Sequence, residues 1–115
     1  MSEKQNKNEF RPKKEHHLKT WPSFFRDVRS NGKSFELRRN DRDFKVGDTL
    51  FLNEWDPEFE VYSGECEKRT ISYVFAGGRF GLGKGFCILS FEPVNPGTLI
   101  DMEPAKYVSH KEKTT

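Results

Sequence analysis

Apolar residues recur along this chain with two different periods. Trp21, Phe24, Phe25 and Val28 stand at i, i+3, i+4 and i+7, the spacing of one helical stripe, with Arg26, Asp27 and Arg29 turned away. Thr20 offers an N-cap, Pro22 suits a first helical turn, and Asn31-Gly32 supplies a stop. The pattern predicts a short helix whose stripe packs against the rest of the fold and has no ligand role. The second period is two, the mark of strands. Over Ser34 to Arg38 it places Phe35 and Leu37 on one face, expected to be the greasy inner one, and Ser34, Glu36 and Arg38 on the other. Phe59 and Val61 alternate with Glu58, Glu60 and Tyr62, while Ile71, Tyr73 and Phe75 alternate with Thr70, Ser72 and Val74, so two further strands are expected. His17 to Lys19 begins a first strand, Thr49 to Trp55 is apolar on both faces like a central strand, and Phe86 to Phe91 is a continuous apolar run. Asn40 to Lys45 reads as a loop, Val46-Gly47-Asp48 as a tight turn and Gly77-Gly78 as another.

Several short strands with one or two short helices predict an α+β, mainly β fold: a largely antiparallel small barrel, since closure removes exposed strand edges. At 115 residues there is room for one ordinary domain. Met1 to Glu15 is polar and lysine-rich, so residues 1–15 are read as a flexible arm, 16–108 as the domain and 109–115 as a disordered tail. Eleven Phe, three Tyr and two Trp in a chain that is one-third charged predict a compact, aromatic-rich core.

The net charge is only +2, but residues 1–42 hold 12 Lys or Arg against 6 Asp or Glu, and residues 43–115 hold 8 against 12. A basic half attracts phosphates, although a solvated face explains a charge cluster equally well. Cys66 and Cys87 form no C-x-x-C pair and are expected as buried thiols in a reducing cytoplasm. The three histidines lack ligand spacing, and no apolar run has membrane-spanning length, so neither metal, cofactor nor membrane partner is expected. A monomer is expected.

The stretch NGKSFELRRNDRDF, Asn31 to Phe44, carries the densest candidate chemistry. Arg38, Arg39 and Arg42 can fork onto phosphate, Lys33 can serve as a point charge, and Glu36 can accept from a base amino group. The alternative is an internal Glu36–Arg38 ion pair on a solvated face. GGRFGLGKGF, Gly77 to Phe86, imitates a phosphate loop, but Gly85 stands where Ser or Thr would hold magnesium and a strand follows, which excludes a nucleoside triphosphatase. It can still bring backbone N–H groups and Arg79 close to a ligand, or merely connect a hairpin. Trp55 and Tyr62 border acidic residues and can stack on a base; core packing is the other reading of Trp55.

Taken in order, HHLKTWPSFFRDVRSNGKSFELRRNDRDFKVGDTLFLNEWDP and GGRFGLGKGFCILSF resemble a small bacterial and phage family of uncharacterised, DUF3850-like domains related to the ASCH group of the PUA-like superfamily. The resemblance spans roughly His16 to Phe91. Lys33, Glu36 and Arg38 occupy the last three positions of the Gly-x-Lys-x-x-Glu-x-Arg signature, and Asn31, which tolerates positive φ, stands at the glycine. The resemblance implies a mixed or antiparallel pseudo-barrel of about six strands, a helix capping a cleft lined by the signature residues, and an association with RNA. Lys19, Asn40, Arg42 and Trp55 join the site from the closer family's pattern. A related branch hydrolyses acylated nucleosides with a lysine, a threonine and a glutamate; here Lys33 is kept but Glu36 stands at the hydroxyl position, so catalysis would need Lys33 and Glu36 acting on bound water. The expectation is therefore an RNA- or modified-nucleoside-binding module, with a small amidohydrolase or a protein-interaction domain as alternatives.

Overall fold

The computed structural model describes residues 11–93. Five strands and one helix follow in the order β1 (Glu15–Thr20), α1 (Pro22–Arg29), β2 (Phe35–Arg39), β3 (Thr49–Asp56), β4 (Val61–Ala76) and β5 (Phe86–Phe91). They build one mixed sheet in the spatial order β1-β3-β4-β5-β2, in which β1 lies parallel to β3 and every other pair is antiparallel. The parallel pair requires a crossover, and α1 with β2 supplies it.

A mainly β, α+β fold is thus found, with five strands and one helix among the described residues, where about six strands were expected. Closure is not. No ladder joins the two edge strands, β1 and β2, among the described residues. Side chains bridge them instead: Arg38 Nη2 donates to the Lys19 carbonyl and Arg42 Nη1 to the His17 carbonyl at 2.9 Å. His17 and Lys19 lie two apart, so both carbonyls point out of the same open edge, and the two arginines satisfy acceptors that would otherwise invite another strand.

The core is aliphatic rather than aromatic. Leu18, Val28, Leu50, Leu52, Ile71, Cys87 and Leu89 form it, with only Phe44 and Phe91 among the aromatics of that cluster. Leu50 and Leu52 are fully buried, worth about 2 kcal/mol each in transferred apolar area. Phe25 of α1 is also buried, but most of the other described aromatic residues are exposed or half-buried. Cys87 is buried as expected, but Cys66 sits on the exposed side of β4.

Three local expectations are corrected. Thr20 is not the helix cap: it ends β1 with its side chain buried, and Trp21 takes the N-cap position without a capping side chain. Residues 57–60 form a turn, so Phe59 is exposed there and the two expected strands are one, β4, of 16 residues. β4 runs on through Ser63-Gly64, where its register with β3 shifts between Asn53 and Trp55, and a second shift against β5 between Ile71 and Tyr73 resets which side chains face inward. In β2 the alternation holds but its polarity is inverted: Glu36 is buried and Phe35 and Leu37 are exposed.

Two polar networks pin the sheet's ends. Asp48, fully buried, accepts from Arg11, from His16 Nε2 at 2.9 Å and from the backbone N–H groups of Lys14 and Lys45. Residues Arg11 to Lys14, the end of the segment read as an arm, are therefore tied to the turn before β3; residues 1–10 and the tail at 109–115 lie outside the described residues. At the other network, Arg69 Nη2 donates to the Val28 carbonyl and its Nη1 pairs with Glu67, which also pairs with Arg29. The C-terminal end of α1 is thereby fixed to β4. No described helix is long and apolar enough to cross a membrane.

Candidate functional site

Helix α1 ends in a turn that sets up the site. Asn31 adopts φ 66°, the left-handed conformation that asparagine tolerates, and the N–H groups of Gly32 and Lys33 both return to the Asp27 carbonyl, at 2.8 and 2.9 Å. Lys33 thus leaves the helix end aimed back along it. Its Nζ donates to Glu36 Oε2 at 3.0 Å and to the Phe35 carbonyl at 2.6 Å, between the rings of Phe24 and Phe35 with centroids at 5.6 and 4.8 Å. A cation between two ring faces is further held by their quadrupoles.

From β2, Arg38 reaches the same carboxylate from the other side. Its Nε and Nη2 lie 3.1 and 3.0 Å from Glu36 Oε1, and Nη2 also approaches Thr20 Oγ1 at 3.4 Å. Glu36 is only 4% exposed. A buried carboxylate flanked by two cations leaves the trio with a net charge of +1. It also leaves capacity: three of roughly four acceptor sites on Glu36 are used, and Arg38 engages Glu36, Lys19 and Thr20 through Nε and Nη2 out of its five N–H donors. Glu36 acts mainly as the anchor that fixes Lys33 and Arg38.

These groups form one wall of an open cleft of about 390 Å³, within the range of small-molecule sites. Lys19 and Thr20 close it from β1, and Trp21 and Phe24 form the facing wall, with ring centroids 6.1 Å apart and planes 17° from parallel. Trp21 is 52% and Phe24 46% exposed.

Of the residues expected at the site, Lys33, Glu36, Arg38 and Lys19 meet in the cleft. Trp55 stands behind, 4.2 Å from Lys19 Nζ, and positions that lysine. The Arg42 side chain is held at the β1 edge, the backbone N–H of Asn40 donates to the Gly85 carbonyl, and Arg79 lies on the glycine loop, where its backbone bridges Leu82; none of the three lines the cleft. Trp21, Phe24 and Thr20 are residues the pattern did not assign to the site. The helical stripe was read as wholly buried, but only Phe25 and Val28 are. Phe24 lies at the rim of that arc, and Trp21 precedes the helix with extended backbone, so the helical period does not govern where its ring goes. Among the described residues no three His, Cys, Asp or Glu side chains gather as metal ligands.

A family model described as a domain of unknown function, DUF3850, matches residues 15–91, which is most of the chain and the whole of the sheet. The chain belongs to the DUF3850 family. No curated protein matches it in sequence. The DUF3850 match begins at the first residue of β1 and ends at the last of β5, so the cleft, built from β1, α1 and β2, lies entirely inside it.

Proposed function

We propose that this DUF3850 domain is an ASCH-type, PUA-like binding module whose cleft takes one nucleobase, offered by a free or modified nucleoside or by an unstacked position of single-stranded RNA. One observation carries the reading: Lys33 and Arg38 are held on opposite oxygens of a buried Glu36, facing the exposed rings of Trp21 and Phe24. A flat ring stacks on such a wall, and fixed N–H donors meet its carbonyl or phosphate oxygens. Hydrolysis of an acylated nucleoside is less well supported, since Glu36 gives both oxygens to Lys33 and Arg38, an arrangement suited to holding a ligand rather than taking a proton.

Titration with cytidine, N4-acetylcytidine and a short single-stranded RNA, followed by tryptophan fluorescence, tests this. Quenching that is lost in Lys33→Ala and Trp21→Ala is expected, and RNA binding should weaken as salt rises because phosphate contacts release counterions. Absence of nucleoside and RNA binding up to about 1 mM refutes the proposal. Release of cytidine from the acetylated compound, abolished by Lys33→Ala, replaces it with the hydrolase.

A further inference from the structure

The outer face of the β4-β5-β2 part of the sheet is the least expected surface of this molecule. Register places Phe35 of β2 beside Ser90 and then Tyr73, and Leu37 beside Ile88 and then Phe75. Phe86 continues the face opposite Arg39, whose guanidinium stands 5.3 Å from its ring. Phe80, from the glycine loop, stacks on Phe75 with centroids 6.3 Å apart and planes at 27°. Cross-strand neighbours on one face are close enough to form a continuous surface.

Folding does not account for this surface. Phe80 is 91% exposed and holds φ 53°, a left-handed conformation that bulky side chains rarely adopt. Tyr73, Phe35 and Leu37 are also exposed. The charges on the rows of this face and on the glycine loop are of one sign, with Asp41 just beyond the end of β2. Arg39 lies within the face, Arg79 and Lys84 lie on the glycine loop, and neither the paired rows nor the loop from Gly77 to Gly85 carries an acidic residue. Flat rings interleaved with cations suit a polyanion that itself presents flat rings, rather than an apolar protein surface.

We propose that this face is a stacking platform for single-stranded nucleic acid, with Phe80 and Phe86 as its ring contacts and Arg39 and Arg79 as its phosphate contacts. Phe35 and Leu37 also border the cleft, so the platform and cleft share an edge, and a strand with one base in the cleft would run on across the sheet. That continuation rests on the nucleobase reading of the cleft; the platform itself does not.

Fluorescence anisotropy with a labelled single-stranded RNA of about ten nucleotides, alongside nucleoside titration of the cleft, separates the two. Phe80→Ala and Phe86→Ala should each weaken oligonucleotide binding about tenfold while leaving nucleoside affinity unchanged. Arg79→Ala should lower the slope of log affinity against log salt by about one. Phe80 is so exposed that its removal cannot unfold the domain, so an unchanged oligonucleotide affinity in that variant overturns the platform. So does a duplex of equal length that binds as well as the single strand, or a concentration-dependent dimer abolished by Phe80→Ala. Oligonucleotide binding that fails in the platform variants, in a protein that binds no nucleoside, would retain the platform and remove the cleft reading.

Discussion

Replacing Glu36 by glutamine keeps the shape of the side chain and removes the charge that holds Lys33 and Arg38. The wild-type carboxylate accepts three charge-assisted contacts at 3.0 to 3.1 Å while almost wholly buried. Removing one member of a fully buried ion pair costs about 3–5 kcal/mol. Lys33 and Arg38 retain 16% and 24% of their side-chain exposure, so both recover some hydration once released, and the expected loss falls to about 2 kcal/mol. For a domain of this size that lowers Tm by roughly 8–16 °C. Thermal unfolding followed by far-ultraviolet circular dichroism measures the shift, and nucleoside titration well below both midpoints measures binding separately. Glutamine also presents an NH2 group toward one of the cations, so binding should fall at least tenfold even where the domain is fully folded. A Tm unchanged within about 2 °C, with binding intact, would show that the trio neither anchors the fold nor shapes the cleft.

Asp48 is expected to make stability sensitive to acid. Burial pushes its carboxyl upward, but hydrogen bonds from Arg11, His16 and the backbone of Lys14 and Lys45 outweigh that and hold it well below the ordinary value of 3.8. A depressed folded-state value means that the unfolded chain binds the proton more readily, so this stabilisation is complete above the ordinary value and lost as pH falls below it. Asp48→Asn should therefore cost about 3 kcal/mol in urea denaturation at about pH 7, and its difference from wild type should shrink steadily below about pH 4. A Cβ added at Gly77 would lie 2.0 Å from the Gly83 carbonyl oxygen and 2.7 Å from that of Phe86, both backbone atoms. Gly77→Ala should accordingly disorder the glycine loop, read as a rise in proteolysis between residues 77 and 86 without loss of the remaining sheet.

Much of the architecture was legible because local periods are set by backbone geometry. Helix α1 followed from its i, i+3, i+4, i+7 spacing, the strand of Phe86 to Phe91 from its continuous apolar run, and the turn at Val46 to Asp48 from its residue types. Which face of a strand is buried is a different kind of information. In β2 the alternation was readable, but hydrophobicity assigned Phe35 and Leu37 inward, whereas the geometry of Lys33 and Arg38 satisfies Glu36 well enough to bury it. Arg38 and Arg42 illustrate the same limit: their charge was visible, but not that the carbonyls of Lys19 and His17 would lie opposite them across an open edge. Trp21 and Phe24 were visible as aromatics and misread as core, since a period cannot reveal that an eight-residue helix covers the sheet with only part of its stripe.

The inverted polarity of β2 links the two proposed surfaces physically. One face of this five-residue strand buries a carboxylate at the cost of its hydration, and the other exposes Phe35 and Leu37 to water. A strand selected for stability alone would reverse both choices, because replacing a buried ion cluster by packed apolar residues is commonly neutral or stabilising. Both unfavourable choices become useful together if the bound partner carries rings and negative charge in alternation. Rings then cover the exposed apolar side chains, and negative charge meets the cations that Glu36 and Phe86 hold in place. Phe35 joins these demands: it borders the cleft, lies 4.8 Å from Lys33 and begins the outer aromatic row, so a single side chain would feel a ligand arriving on either side of the strand.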